Sequence, residues 1–248
     1  RLVLKYAGLA GSKGVVFAET LEEAYDFLDH VFVDTCFGPD PVVLVEDRMY
    51  GEEVSVFGVC NGRRCSLMPL AKNYKRLDDG DCGPHTRGVG AYAPALGVLT
   101  EAEIRDLEAK MTALVRAHDY VGVLNAGVLR PDDRSLPPQV LEFNVQLGDP
   151  EAQVLLPLLR ADWYDVCVKC ANRWPMTGME QWWDTHKHAV NVVICHAGYP
   201  TGPTSADGCV VRVAADEAGS ARTVTQTSSS TVACYLANAT RAPDESLI

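Results

Sequence analysis

The sequence predicts an α+β fold on three observations. Strand-like and helix-like patterns interleave along its 248 residues without the regular strand–helix–strand rhythm of a doubly wound sheet. Asn61-Gly62, set between two apolar runs, is the signature of an antiparallel hairpin. The composition, 47% hydrophobic and 22% charged, excludes a disordered tail, a collagen-like fibre or a small disulfide scaffold, and it supplies core for one large domain or two smaller ones.

Taken in order, residues 2–6 read as a strand, 8–14 as a glycine-punctuated turn and 15–18 as a second strand. The chain opens at Arg1 directly on the strand pattern, with no Met and no targeting segment, as a fragment would. Thr20 with Glu23 forms a capping signal for a first helix. Residues 42–45 read as a buried strand, and 53–60 with 63–67 as the hairpin around Asn61-Gly62. Residues 73–97 are dense in Gly, Asp and Pro without apolar periodicity, so they read as a long loop, functional or disordered. Thr100 and Glu103 open a second capped helix ending near His118. Residues 121–129 and 139–145 read as paired strands, 151–160 and 162–173 as helices, and 189–195 as a further strand. Beyond Tyr199 the pattern dissolves into small and polar residues, expected to be poorly ordered or a truncated second domain.

Charge narrows the function. The 22 basic and 33 acidic residues leave −11, which argues against nucleic acid as the main partner, although a local basic pocket for a nucleotide remains open. No apolar run approaches the roughly 20 residues that cross a bilayer, so no membrane partner is expected. Nine cysteines, odd in number and irregularly spaced, point to a reducing, cytoplasmic setting.

Four segments carry candidate chemistry. Gly8, Gly11 and Gly14 allow backbone amides near an anion, with Lys5 and Lys13 adding charge; the alternative is an ordinary glycine turn with solvated lysines. In Leu141-Glu142-Phe143-Asn144-Val145, alternation puts Leu141, Phe143 and Val145 on the core face and Glu142 with Asn144 on the other. Two oxygen ligands on one strand face suit Mg²⁺, and a half-exposed polar strand is the alternative. Glu46-Asp47 with Gly51-Glu52-Glu53 reads as a hinge for a base and ribose or as an acidic solvated turn. The stretch 75–92 reads as a mobile substrate loop or as disorder. The Cys167-x-x-Cys170 pair has no second pair at zinc spacing and reads as core packing, and His186 and His188 read as a surface turn. No G-x-S-x-G or H-E-x-x-H occurs.

Together and in this order, these segments resemble the ATP-grasp region of the glycinamide ribonucleotide synthetase (phosphoribosylamine–glycine ligase) family. The resemblance is carried by Lys5-Tyr6-Ala7-Gly8-Leu9-Ala10-Gly11-Ser12-Lys13-Gly14-Val15, by Glu46 to Ser55 with its Gly51-Glu52-Glu53, and by Lys75-Arg76 with residues 78–92. It continues through Leu124-Asn125-Ala126-Gly127, residues 142–151 and His196-Ala197-Gly198-Tyr199-Pro200. It implies an ATP-grasp fold, two α+β subdomains sandwiching ATP, over residues 1–188 (incomplete at its N-terminal end), with a partial or degenerate C-terminal domain over 189–248. By position it implies that Lys5 and Lys13 contact phosphates, that Glu46, Asp47 and Met49 lie at adenine, that Glu53 binds ribose and that Lys75 binds a phosphate. Glu142 and Asn144 would ligate Mg²⁺ or Mn²⁺, and Gly83, Pro84, Thr86, Gly88 and Gly90 would form the substrate loop.

The implied reaction joins glycine to 5-phosphoribosylamine in purine synthesis. ATP phosphorylates the glycine carboxylate and the amine attacks the acyl phosphate, so no protein nucleophile is assigned. The chain departs from the family pattern at Ala7 for Asp, Tyr74 for His, Arg87 for Gly and Gln146 for Arg. Two other readings stay open: a degenerate ATP-grasp module that binds nucleotide or a partner without turnover, and a ligase for another carboxylate.

Overall fold

The computed structural model describes residues 2–8, 10, 14–39, 41–195, 198–200, 225–226 and 231–232. The chain divides into two compact units, Arg1–Val193 and Ile194–Ile248.

The first unit begins with a three-stranded antiparallel sheet, order β2-β1-β3, built from β1 (Leu2–Tyr6), β2 (Val15–Ala18) and β3 (Val43–Asp47). Helix α1 (Leu21–Phe32) follows β2. The Thr20 hydroxyl accepts from the Glu23 amide (3.2 Å), while the Glu23 carboxylate takes the Glu19 amide (2.7 Å). Ala24, Phe27 and Val31 recur at helical spacing and pack on Leu4 and Ala18. The run at 42–45, expected to be buried, is instead an edge strand with Leu44 and Val45 about half exposed. Apolar composition alone does not distinguish a covered strand from an edge one.

The centre is a four-stranded antiparallel sheet, order β5-β4-β8-β9: β4 (Gly51–Asn61), β5 (Cys65–Leu67), β8 (Val121–Pro131) and β9 (Gln139–Asn144). The Asn61-Gly62 hairpin forms as predicted, with Gly62 at φ +83°, a conformation that favours glycine. On one face lies α2 (Glu101–His118), opened by a reciprocal capping box in which Thr100 accepts from the Glu103 amide (3.3 Å) and Glu103 accepts from the Thr100 amide (2.8 Å). Leu107, Met111 and Val115 of α2 bury against Val54, Val56, Ala126 and Val128. The other face of β4 presents Phe57 and Val59 to a second core formed with Val154, Leu155, Val166 and Trp183. A strand covered on both faces reads as a continuous apolar run, as residues 54–60 do.

Residues 73–97, expected to be a loop, form a hairpin: β6 (Lys72–Asp78) and β7 (Cys82–Ala93), flanked by β10 (Ala189–Val192) in the order β10-β7-β6. The register shifts twice between β6 and β7, so four β7 residues, 86–89, fall opposite Lys75 alone. That bulge breaks the period-2 pattern, and the tip at 82–85 is exposed, which erases the apolar signal. The strand at 189–192, expected to open the second domain, thus pairs within the first unit.

Other expectations also shift. The helix at 151–160 shortens to α3 (Ala152–Leu155) and a 3₁₀ turn, Leu156–Leu158; the next is α4 (Trp163–Ala171). Cys170 is buried, donating to the Cys60 carbonyl (2.7 Å), but Cys167 is exposed, so only half of that pair is core. His186 and His188 are exposed. Phe143 and Val145, expected on a core face, are 47% and 70% exposed. α2 packs chiefly over β5 and β4, and β9 lies at the opposite edge of the sheet. In the second unit, β11 (Thr225–Gln226) pairs antiparallel with β12 (Thr231–Val232). The rest of the stretch after 200 lies outside the described residues, among which no helix is long and apolar enough to cross a membrane.

Candidate functional site

The site grows from sheet register. Ser55 lies opposite Gly127, and Gly127 opposite Glu142; one row along, Phe57 faces Asn125 and Asn125 faces Asn144. Opposed residues in an antiparallel ladder share a face. Since Val54, Val56, Ala126 and Val128 point to α2, the residues Glu53, Ser55, Asn125, Gly127, Glu142 and Asn144 look the opposite way. A Cβ on Gly127 would stand 3.3 Å from Glu142 Cγ, 3.8 Å from Glu142 Oε1 and 3.9 Å from Glu53 Oε1. Absence of a side chain there is what leaves room between the two carboxylates.

Lys75 reaches this face from β6 and donates to Glu53 Oε1. Withdrawal from water pulls its ammonium pKa down, but the Glu53, Glu142 and Glu151 carboxylates outweigh that and hold it above its ordinary 10.5. The lysine is therefore charged at neutral pH. Glu151, only 4% exposed, accepts from Ser55 Oγ (3.1 Å) and Asn73 Nδ2 (3.2 Å) on one oxygen. The bulge of β7 is pinned beside it. Thr86 Oγ1 donates to the Lys75 carbonyl (2.9 Å) and accepts from the Gly88 amide (3.0 Å). Gly88 sits at φ +131°, where a Cβ would come within 2.6 Å of Asn73 Oδ1 and Pro150 Cδ; only glycine fits. Partial burial, then Arg76 and Lys75, push the nearby His85 imidazole below its usual range, favouring the neutral ring.

From the other sheet, Lys5 Nζ pairs with Glu46 Oε2 (2.7 Å) and donates to the Leu141 carbonyl of β9 (3.3 Å). It therefore ties the first sheet to the strand that carries Glu142.

Of the residues singled out from sequence, Glu53, Lys75, Glu142 and Asn144 gather on one face, with Thr86 and Gly88 beside them and Lys5 and Glu46 joined to its edge. Asp47 and Met49 are exposed just after Glu46. Gly83 and Pro84 lie near the exposed hairpin tip, and Gly90 is a ladder residue opposite Tyr74 and Val192. Lys13 lies outside the described residues. Arg87 and Gln146 are exposed. Sequence reading missed Ser55, Asn73, Asn125 and Glu151 as site residues. The available signal was a serine inside the apolar run 54–60 and an acid at the start of a helix, both ordinary in isolation.

A divalent cation fits the donor set. Glu142 and Asn144 offer oxygens on one face, and the Asn125 Oδ1 opposite Asn144 is buried with no hydrogen-bond partner among the described residues. Hard cations take such carboxylate and amide oxygens.

Residues 1–152 match the model of the phosphoribosylglycinamide synthetase ATP-grasp (A) domain. The chain belongs to this family. The likeness extends further along an ATP-grasp chain of this kind. The phosphoribosylamine–glycine ligase of Ralstonia nicotianae is 37% identical over 212 residues, covering 83% of this chain and 49% of that protein. The trifunctional purine biosynthetic protein adenosine-3 of Drosophila melanogaster is 40% identical over 219 residues, covering 85% of this chain and 16% of that one. The crystal structure of phosphoribosylamine–glycine ligase from Thermotoga maritima superposes with a TM-score of 0.69 at 32% identity, over 82% of this chain and 51% of that one. The chain thus spans about half or less of the length of these relatives. The fold is the ATP-grasp fold, and its α+β class agrees with the sequence expectation.

Proposed function

We propose that this ATP-grasp chain is the nucleotide- and metal-handling part of a phosphoribosylamine–glycine ligase, which joins glycine to 5-phosphoribosylamine at the expense of ATP in cytoplasmic purine synthesis. The observation that carries the reading is the convergence of Lys75, Glu53 and Glu142 on the space that Gly127 leaves open. The relatives' names and the family match support this reaction, and the geometry of the Lys75 face is compatible with it.

In this reading each residue has a physical task. Lys75, held charged by its carboxylate neighbours, offers a fixed cation to phosphate oxygens. Lys5 does the same from the facing sheet, and Lys13 is its sequence counterpart on the glycine turn. Glu53 holds ribose hydroxyls, and the segment carrying Glu46, Asp47 and Met49 lines the adenine. Glu142 and Asn144 hold Mg²⁺, or Mn²⁺ in its place. When bound, the cation neutralises charge on the transferring phosphoryl group. Glu151 keeps Asn73 and Ser55 in place behind Lys75, and the Thr86–Gly88 bulge fixes the Lys75 backbone. No side chain is asked to act as a nucleophile; rate comes from positioning.

Calorimetric binding of a non-hydrolysable ATP analogue tests the site, comparing wild type with Glu142→Ala, with and without Mg²⁺. Mg²⁺-dependent affinity that is lost in the variant is expected; binding unaffected by the variant would refute the metal assignment. Glycine-dependent ADP release by the full-length protein tests the reaction. Nucleotide binding without such release would leave a nucleotide-binding module, and a preference for another amino acid would leave a different ligase.

A further inference from the structure

We propose that His30, Asp34 and Cys36, at the C-terminal end of α1, form a binding site for one zinc-class divalent ion, separate from the nucleotide face. The three side chains come from the last turn of the helix and the turn after it, and His30 Nδ1, Asp34 Oδ2 and Cys36 Sγ all lie within 4.8 Å of one another. His30 Nδ1 is 3.3 Å from Asp34 Oδ2 and 3.4 Å from Cys36 Sγ.

Two arguments favour an ion over hydrogen bonds alone. The first concerns the proton. In neutral imidazole Nδ1 either carries hydrogen and donates to the carboxylate, or lacks it and accepts from the thiol; it cannot do both. Both contacts nevertheless converge on that one atom, and the 3.3 Å separation from the carboxylate is longer than the usual N–H···O range. The second concerns distance. Tetrahedral Zn²⁺, with bonds of about 2.3 Å to sulfur and about 2.0–2.2 Å to nitrogen and oxygen, separates its ligand atoms by roughly 3.4–3.6 Å. The two edges of the triangle that meet at His30 Nδ1 are close to that spacing.

The backbone is shaped to keep the triangle closed. Thr35, between two of the ligands, sits at φ +50°, in the left-handed region a β-branched residue rarely enters. The Val33 and Asp34 amides both donate to the Asp29 carbonyl (2.8 and 3.0 Å), holding the chain reversal after the helix. Phe37 then packs edge-on to the His30 ring (6.1 Å) and stacks on Tyr6 (4.9 Å), fixing the imidazole against the first sheet. A nitrogen, a carboxylate oxygen and a sulfur together suit borderline-soft Zn²⁺ better than Mg²⁺ or Ca²⁺. On binding, the Cys36 thiol gives its proton to solvent and the fourth position is left to water. The ion would clamp the end of α1 to the chain leading into β3.

Titration of the full chain with Co²⁺ under reducing conditions tests the site, because thiolate ligation gives a near-ultraviolet charge-transfer band and tetrahedral geometry an intense visible spectrum. One equivalent of Co²⁺, displaced by Zn²⁺, is expected. Cys36→Ser should abolish the thiolate band. His30→Gln should weaken binding by at least the roughly 10-fold that loss of even an outer partner costs. All three side chains are exposed, so both variants should keep the wild-type metal-free melting temperature. The proposal is overturned if no thiolate band forms, if the band survives Cys36→Ser, or if it disappears only when another cysteine, such as Cys195, is replaced.

Discussion

Gly127→Ala separates the chemistry of the site from the stability of the fold. The added methyl carbon would sit 3.3 Å from Glu142 Cγ, tighter than most such contacts, so the Glu142 side chain must give way by a few tenths of an ångström. The same methyl would stand 3.8 and 3.9 Å from the Glu142 and Glu53 oxygens, occupying the gap between them. Folding should hardly notice. Loss of unfolded-chain freedom favours alanine by about 0.4–1 kcal/mol, and the crowding offsets a similar amount. Ligation is less forgiving: a metal–oxygen distance tolerates about 0.2 Å, less than the displacement imposed on Glu142. We expect Mg²⁺-dependent affinity for an ATP analogue to fall about tenfold, or about 1.4 kcal/mol, while Mg²⁺-independent binding changes less. Paired calorimetric titrations with and without Mg²⁺, alongside urea unfolding, measure both quantities. Unchanged Mg²⁺-dependent affinity in a fully folded variant would refute the reasoning and remove Glu142 from the metal site.

Three further outcomes are expected. Glu151→Ala leaves the buried Ser55 hydroxyl and Asn73 amide without their shared acceptor and should cost about 3 kcal/mol in urea unfolding, whereas Glu151→Gln, whose amide oxygen can accept both bonds, should recover most of it; equal losses would contradict this. Met111→Ala, emptying a position 1% exposed on the sheet-facing side of α2, should cost about 2–5 kcal/mol while sparing nucleotide affinity measured well below the unfolding midpoint. The Thr100 backbone amide and hydroxyl, with Arg130, hold the Glu103 carboxyl below its ordinary 4.5 despite partial burial, so its share of stability is present above pH 4.5 and is lost as pH falls through the lowered folded value. Glu103→Gln should therefore flatten the acid limb of a stability–pH curve, and an unchanged limb would show that the cap contributes nothing to it.

Much of the framework was legible because local rules governed it. Both helix caps, the Asn61-Gly62 turn and the β8–β9 pairing follow from short spacings that tertiary context did not override. Glu53, Lys75, Glu142 and Asn144 were legible through the family pattern, and register explains why residues so far apart in sequence meet. What escaped was set by neighbours remote in sequence. The β6–β7 ribbon was hidden because four residues bulge opposite one and its tip is exposed. Phe143 and Val145 were misplaced because alternation gives a face but not what covers it, and α2 packs chiefly over the opposite edge of the sheet. In sequence Glu151 is only the start of a helix, and its partner Ser55, which donates to it, lies 96 positions away.

The lysines around this face are not bare cations awaiting an anion. Lys5 already holds Glu46 and Lys75 holds Glu53. A polyphosphate arriving here must take each ammonium from a carboxylate, so its binding is an exchange of one anionic partner for another. Such an exchange releases tethered side chains rather than salt ions from solution, so selectivity rests on how much better a phosphate oxygen, with its higher charge and freedom to bridge several donors, competes than a single carboxylate does. A monoanion of ordinary strength gains little by making the same trade. If this face takes the nucleotide as proposed, the resting ion pairs would favour multiply charged ligands over single anions.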